Sequence, residues 1–247
     1  MGNTKIDWAT KVWNPTTGCT KVSSGCRGCY AERMANRFWK DRKFSEVQCH
    51  PERLEEPLRW RKPQRVFVDS MSDLFHPDIP DEFINSVFRV MWQANYHTFM
   101  ILTKRPERMY DYFYKWEPKP ITEIPNVWIG VSIEDQKTAD ERIPYLLKTP
   151  SALRFISYEP ALGPVLLRLY DSVIENGEQY YKADMLKWLI MGCETGPSHR
   201  PMYSSWARDV KNQCQAAGIP FFFKQMYWNG KLVHLPLLDG KVWDQIP

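Results

Sequence analysis

The chain alternates short apolar runs with polar clusters and stretches of helical period. Six apolar runs have the length and the β-branched or aromatic content of buried strands. They lie at residues 65–68, 98–102, 127–131, 153–156, 188–191 and 219–223, and a further short run near Val12 precedes them. Helical patterns lie at residues 81–95, 107–116, 137–147 and 205–217. The alternation predicts a buried, mostly parallel sheet with helices between its strands.

This order of elements predicts an α/β fold. We expect a complete or partial (βα) barrel of the TIM-barrel-like kind, formed by residues 1–247 as a single domain. Residues 161–186 fall between two predicted strands, and we expect an excursion from the barrel there. Polar residues follow the strands, where α/β barrels assemble their active sites, although a doubly wound sheet places its ligand at the same edge.

Composition limits the class of protein. The 247 residues, 43% hydrophobic and 25% charged, are enough to bury a full-sized core. Because the sequence has no long apolar run and no signal-peptide pattern at its N-terminus, we expect a cytoplasmic protein without a membrane partner. The net charge of +4 permits contact with nucleic acid without requiring it.

Three of the six cysteines lie close together near the N-terminus. Cys19, Cys26 and Cys29 occupy a loop at residues 13–30 that is rich in Gly, Ser, Thr and Pro. Glycine permits tight turns that bring amides toward sulfur, and thiolates are soft metal ligands. A closed zinc site or a 4Fe-4S cluster needs four ligands. Three thiolates therefore leave one metal position open for a small molecule.

A zinc knuckle is the alternative interpretation of this loop. Its fourth ligand would come from elsewhere in the fold, with His50, Cys49 and Cys193 as candidates. Cys193 follows a predicted strand and is equally explained as a redox participant or as a small buried residue. Cys49 and Cys214 are expected to be structural. This alternative predicts a zinc-stabilised nucleic-acid-binding protein without catalysis.

Eight short motifs spread over nearly the whole chain carry a family resemblance. They are residues 13–15 (Trp-Asn-Pro), 18–19 (Gly-Cys), 25–26 (Gly-Cys), 29–32 (Cys-Tyr-Ala-Glu), 102–106 (Leu-Thr-Lys-Arg-Pro), 130–134 (Gly-Val-Ser-Ile-Glu), 157–160 (Ser-Tyr-Glu-Pro) and 222–225 (Phe-Phe-Lys-Gln). Together they resemble the phage-associated three-cysteine-motif family, which is grouped with the radical S-adenosylmethionine (SAM) barrels. The familiar cysteine spacing of that superfamily is C-x3-C-x2-C with an aromatic residue before the last cysteine. Here the first gap is six residues, Gly28 holds the aromatic position, and Tyr30 offers a ring on the other side of Cys29.

The resemblance implies a 4Fe-4S cluster held by Cys19, Cys26 and Cys29, with the fourth iron chelated by the amino and carboxylate groups of SAM. Reduction by an external electron donor would cleave SAM to methionine and a 5′-deoxyadenosyl radical, which abstracts hydrogen from a substrate. The open metal position inferred from the ligand count suits this chemistry. We therefore expect a radical SAM enzyme of unassigned reaction and oligomeric state, acting in the cytoplasm of a bacterial host if a phage encodes it.

Polar residues at the predicted strand ends are candidates for contact with SAM. SAM presents an ammonium, a carboxylate and two ribose hydroxyls, which call for carboxylate and hydroxyl acceptors and a cationic donor. The candidates, with Tyr30 beside the last cysteine, are Asp69, Ser70 and Asp73 for the amino group and Ser132 and Glu134 for the ribose. Salt bridging and helix capping are the alternatives for each.

Cations and further carboxylates complete the set of candidates. The expected substrate-binding residues are Lys104, Arg105, Arg200 and Lys224, which would suit a nucleotide or a nucleic acid. Lys104 and Arg105 are also able to pair with the carboxylate of SAM. The candidate catalytic residues are Glu159, Cys193 and Glu194.

Overall fold

The computed structural model describes residues 4, 6–115, 124–175 and 178–247. It divides into two compact units. Unit 1 comprises Met1–Gly130 with Thr149–Ala152, and unit 2 comprises Val131–Lys148 with Leu153–Pro247. None of the helices in the described ranges is both long enough and apolar enough to cross a membrane.

Unit 1 is built on parallel strands. Its elements in chain order are β1 (Lys11–Trp13), β2 (Thr16–Thr17), α1 (Tyr30–Phe38), β3 (Gln48–Cys49), β4 (Arg65–Val68), α2 (Asp81–Gln93), β5 (Thr98–Thr103) and α3 (Pro106–Lys115), with single 3-10 turns at Ser24–Cys26, Pro51–Arg53 and Pro57–Arg59. Strand β4 pairs in parallel with β1 and with β5. Strands β2 and β3 form a separate antiparallel pair, in which Thr16 lies opposite Cys49.

Unit 2 follows in the chain. Strand β6 (Val127–Ile133) begins in unit 1 and ends in unit 2. The remaining elements are α4 (Gln136–Lys148), β7 (Leu153–Tyr158), β8 (Ser172–Glu175), β9 (Glu178–Tyr181), α5 (Lys182–Met185), β10 (Leu186–Gly192), α6 (Ser204–Ala216), β11 (Phe221–Trp228) and β12 (Lys231–His234). Strand β10 pairs in parallel with β7 and β11, whereas β12 pairs antiparallel with β11. Residues 161–186 hold the β8–β9 hairpin and the short helix α5.

Apolar periodicity explains why these segments take these conformations. In α2, Ile84, Val87, Phe88 and Met91 follow the spacing of one helical face and are all buried. In β10 the run from Trp188 to Met191 is buried at every position, which is typical of a strand covered on both faces. The six predicted strands are confirmed. Three predicted helices agree with α2, α4 and α6 within two residues; the predicted helix at 107–116 corresponds to α3, and its last residue lies outside the described ranges.

The expected (βα) barrel is wrong, although the α/β class is confirmed. The order of strands in the sheet is β1-β4-β5-β6-β7-β10-β11-β12, so β1 and β12 stand at its two ends, and β12 is antiparallel. A (βα) barrel needs parallel strands joined by helical crossovers. Here Asn229 and Gly230, with φ of 48° and 74°, turn the chain back directly after β11. Two residues with positive φ are the geometry of a tight hairpin turn, which can only produce an antiparallel strand.

Candidate functional site

The three clustered cysteines lie in unit 1, on the segment between β2 and α1. Gly18 begins this segment with φ of +91°, and a Cβ there would lie 2.3 Å from the carbonyl oxygen of Glu46. The Gly18 amide donates to the Met71 carbonyl at 2.9 Å, and the Ser72 hydroxyl donates to the Gly18 carbonyl at 2.7 Å. Only glycine fits this position, so the entry to the cysteine loop is fixed by the backbone.

The thiols of the loop share one neighbourhood. Cys19 and Cys29 pack against a small apolar cluster formed by Ala31, Ala35 and Phe44. Burial raises the pKa of the Cys19 thiol to about 12, and the Asp73 carboxylate acts in the same direction, whereas Arg105 opposes them. All three thiols are half-buried, and none forms a disulfide. The loop therefore holds three unoxidised sulfur donors.

These sulfurs also have contacts within the loop. The Cys19 thiol donates to the carbonyl of Thr20 at 3.4 Å, and Cys26 Sγ lies 3.9 Å from the Ser23 hydroxyl. Across the described ranges, no three His, Cys, Asp or Glu side chains form a group that could hold a metal ion. The three thiols thus lie on one loop, but in this structure their sulfur atoms are not arranged around a single metal position.

A hydrogen-bonded chain joins the cysteine loop to the end of β5. The two carboxylate oxygens of Asp73 accept from the Thr103 hydroxyl at 2.7 Å and from the Lys104 amide at 2.9 Å. Arg105 Nη2 donates to the carbonyl and the hydroxyl of Thr20. Asp73 and Arg105, expected to contact SAM and substrate, therefore hold the loops that flank the cysteines in this structure.

His76 extends this chain from the other side. Its Nδ1 accepts from the Asp78 amide at 3.2 Å, so the proton lies on Nε2, which donates to the Thr20 hydroxyl at 2.8 Å. Burial lowers the pKa of His76, with Arg105 acting in the same direction. Sequence reasoning did not select Thr20 or His76, because a single Thr and a single His give no signal until the fold brings them to Arg105.

Asp69 and Ser70 directly follow β4, and each is hydrogen-bonded to residues 14–16. Asp69 is buried with φ of 57°, and its Oδ1 accepts from the Thr16 amide at 3.0 Å. Its Oδ2 has no hydrogen-bond partner among the described residues. Burial raises the pKa of this carboxyl to about 8, against the opposing hydrogen bond of the Thr16 amide. The Ser70 hydroxyl donates to Asn14 Oδ1 at 3.2 Å.

The residues considered for a zinc knuckle lie outside the cysteine loop. His50 is buried, with Nε2 at 2.7 Å from the Thr17 hydroxyl and Nδ1 at 3.1 Å from Glu52 Oε1. Both ring nitrogens therefore have partners. Cys49 lies on the short strand β3, and burial raises its pKa. Cys193 belongs to unit 2 and is buried, which raises its pKa to about 12.

Glu159 and Lys224 form an ion pair in unit 2. Glu159 follows β7, and its carboxylate accepts from Lys224 Nζ at 2.7 and 3.0 Å and from Gln225 Nε2 at 3.1 Å. Gln225 Nε2 also donates to the carbonyl of Cys193 at 3.3 Å. A Cβ at Gly192 would lie 3.2 Å from Glu159 Cδ, so the absence of a side chain there makes room for the carboxylate. The segments that follow β7 and β10 are thereby linked to the middle of β11.

Glu194 and Arg200 form a second ion pair of unit 2. Glu194 Oε2 accepts from the Arg200 amide and Nε, both at 2.8 Å, and Oε1 accepts from Nη2 at 2.5 Å. The carboxylate of Glu194 raises the pKa of Arg200 through these hydrogen bonds. Arg200 and Lys224, both expected to bind an anionic substrate, each bind a carboxylate of their own unit in this structure.

A third acidic group lies at the end of β6. Glu134 is fully buried, and its Oε1 accepts from Arg142 Nη1 at 3.1 Å. The same Arg142 atom donates to the Ser132 carbonyl at 2.7 Å. The Glu134 amide donates to the hydroxyl of Thr138 in the first turn of α4 at 2.8 Å. The ribose-contact candidates Ser132 and Glu134 are thus tied to α4, through an arginine that sequence reasoning did not select.

These features define an α/β protein with a mostly parallel sheet, a three-cysteine loop in one unit and carboxylate–cation pairs at the strand ends of the other. A family model described as "Protein of unknown function (DUF5131)" matches residues 3–247. The chain belongs to this family. No curated protein and no solved structure matched the chain in the corresponding comparisons.

Proposed function

We propose that the chain is an iron–sulfur enzyme of the radical SAM type, in which Cys19, Cys26 and Cys29 hold a 4Fe-4S cluster. The observation that carries the proposal is that one loop of unit 1 contains three free thiols, two of which pack on the same apolar cluster. Three thiolates are one fewer than the irons of such a cluster, which leaves an iron for a small-molecule ligand.

The residues fit such a cluster in the chemistry of their donors. Thiolates are the usual ligands of iron–sulfur clusters, and an apolar neighbourhood controls the access of water to them. His50, in contrast, has partners at both ring nitrogens, which disfavours its use as the fourth ligand of a zinc knuckle. Reductive cleavage of SAM, with an electron from an external donor, is the chemistry that a bound cluster would supply.

The remaining residues of unit 1 would serve this site by holding the loop. Arg105 binds both oxygen groups of Thr20, the residue after Cys19. Asp73 ties the segment after β4 to the segment after β5. As part of the same proposal, we place the protein in the cytoplasm, that of a bacterial host if a phage encodes it, where a reducing environment keeps the three thiols free.

Metal analysis of anaerobically purified protein tests this proposal. We expect about four irons per chain and broad visible absorption. Alanine at Cys19, Cys26 or Cys29 should abolish iron binding, whereas the matched variant Cys49→Ala should retain it. Reduced protein given SAM should then release methionine and 5′-deoxyadenosine in equal amounts. Colourless protein with stoichiometric zinc, or full iron retention in Cys26→Ala, would refute the proposal.

A further inference from the structure

Helix α1 presents an apolar face to solvent directly after the cysteine loop. Tyr30, Met34 and Phe38 are 48%, 38% and 60% exposed, and their spacing of four residues places them on one side of the helix. The neighbouring side of the helix is held on the protein by Ala31 and Ala35, which are buried. Three large apolar side chains in a row on a solvent-facing surface are typical of an interaction site.

The segment around α1, residues 21–43, has a high density of positive charge. Residues 21–43 contain seven Lys and Arg and only two Asp and Glu, a net charge of +5, whereas the whole chain carries +4. Arg27, Arg37, Lys40 and Lys43 are exposed and form no ion pair within the described ranges. The guanidinium of Arg37 lies 5.3 Å from the centre of the Phe38 ring. Unpaired cations therefore alternate with exposed rings along one short surface.

The unpaired cations and the exposed rings together indicate the kind of ligand that this surface would bind. Unpaired cations attract phosphate groups, and an exposed ring beside them offers a stacking face for a base. A short amphipathic helix with cations beside its apolar side chains can also lie on an anionic membrane surface, so binding to anionic vesicles is the competing outcome in the test below. We propose that this α1 surface, defined by Arg27, Tyr30, Met34, Arg37, Phe38 and Lys40, binds single-stranded nucleic acid. The assignment goes beyond the proposed function, because it requires neither metal nor SAM.

Fluorescence anisotropy with a labelled oligothymidylate, over a range of salt concentrations, tests the electrostatic part. The double variant Arg37→Glu/Lys40→Glu should bind at least tenfold more weakly at low salt. Each lost phosphate contact removes about 0.7 from the slope of log K against log salt, so the slope should fall by roughly 1.4. The matched control is Arg61→Glu/Lys62→Glu, an exposed pair of cations in the same unit, which should bind within about twofold of the parent.

Phe38→Ala tests the stacking part. Loss of a base–aromatic contact should weaken binding by about tenfold. Trp92→Ala is the control, because Trp92 is 62% exposed and also lies on a helix of unit 1. Circular dichroism confirms that each variant is folded. Equal losses in test and control variants, no binding at low salt, or preferential binding to phosphatidylserine vesicles would overturn the proposal. Loss of SAM cleavage with intact oligonucleotide binding would refute only the iron–sulfur proposal.

Discussion

Arg105 Nη2 donates to the carbonyl of Thr20 at 3.0 Å and to its hydroxyl at 2.8 Å. Thr20 follows Cys19 directly, so a side chain from the start of α3 holds the backbone of the cysteine loop. The two residues are separated by 85 positions in the sequence. The order of the loop therefore depends on a long-range contact as well as on its own glycines.

Arg105→Gln should loosen this loop, because glutamine is too short to replace both hydrogen bonds. We expect amide hydrogen exchange in the peptide that contains Cys19 and Thr20 to rise roughly threefold to tenfold, with a smaller change in the peptide around Cys214, which is fully buried in unit 2. Hydrogen-exchange mass spectrometry gives both rates. Arg108→Gln, which removes the ion pair of Arg108 with Asp81, is the control, and an equal rise in that variant would contradict the prediction.

Gly18→Ala should destabilise the protein strongly. The new Cβ would lie 2.3 Å from a backbone oxygen, and φ of +91° is strained for any residue with a side chain. We expect a loss of more than about 2 kcal/mol in the free energy of unfolding. Gly240→Ala separates the two effects, because φ there is +77° with no atom within 4 Å of the new Cβ.

That control should lose only about 1–2 kcal/mol, the cost of the left-handed conformation. Urea denaturation followed by tryptophan fluorescence measures both variants. Similar losses at the two glycines would show that the close approach of Glu46 contributes nothing.

The Glu159–Lys224 pair should be energetically coupled. Both side chains are about four-fifths buried, with two Nζ–oxygen distances of 2.7 and 3.0 Å. A double-mutant cycle with Glu159→Gln and Lys224→Met should give a coupling of about 1–3 kcal/mol in unfolding experiments. The exposed pair Lys137–Glu141 is the comparison and should give about 0.3–0.5 kcal/mol. A coupling no larger than that of the exposed pair would mean that the buried contact is not formed in solution.

The carboxyl of Asp69 should make stability depend on pH. Because burial raises its folded pKa from 3.8 to about 8, the folded protein retains a proton that the unfolded chain releases. Stability from this group is therefore full below about pH 4 and declines as pH rises toward 8, by at most about 1.4 kcal/mol per pH unit. Asp69→Asn keeps the acceptor for the Thr16 amide and should remove this decline. Urea melts of both proteins between pH 4 and 8 give the comparison, and parallel curves would contradict it.

The elements of the fold were largely predictable because their signals are local. The run from Trp188 to Met191 is apolar at every position, and only a strand covered on both faces explains it in a chain of alternating elements. The barrel was wrongly predicted because the repeated alternation of strands and helices was given more weight than the turn signal at residues 229–230. Asn229–Gly230 is a strong hairpin signal in the sequence, and it predicts the antiparallel end of the sheet.

The pairing of charges was not predictable. Lys224 directly follows the apolar run at residues 219–223, and Arg200 comes after the polar segment that follows the run at 188–191. Sequence alone suggested that both cations are available to a substrate. In the structure Lys224 meets Glu159, which is 65 residues away, and Arg200 meets Glu194, which is six residues away. Which acid faces Lys224 depends on the register of β7, β10 and β11, and no local pattern encodes that register.

The antiparallel strand β12 also decides what kind of edge the sheet has at that end. An open sheet leaves an unpaired strand edge, on which a second chain can add and start aggregation. Here that edge strand has four residues, and exposed Lys231 and His234 lie at its ends. A short strand with a charged end offers little length for another strand to pair with. The hairpin that ends the sheet thus makes this edge a poor template for pairing with another chain.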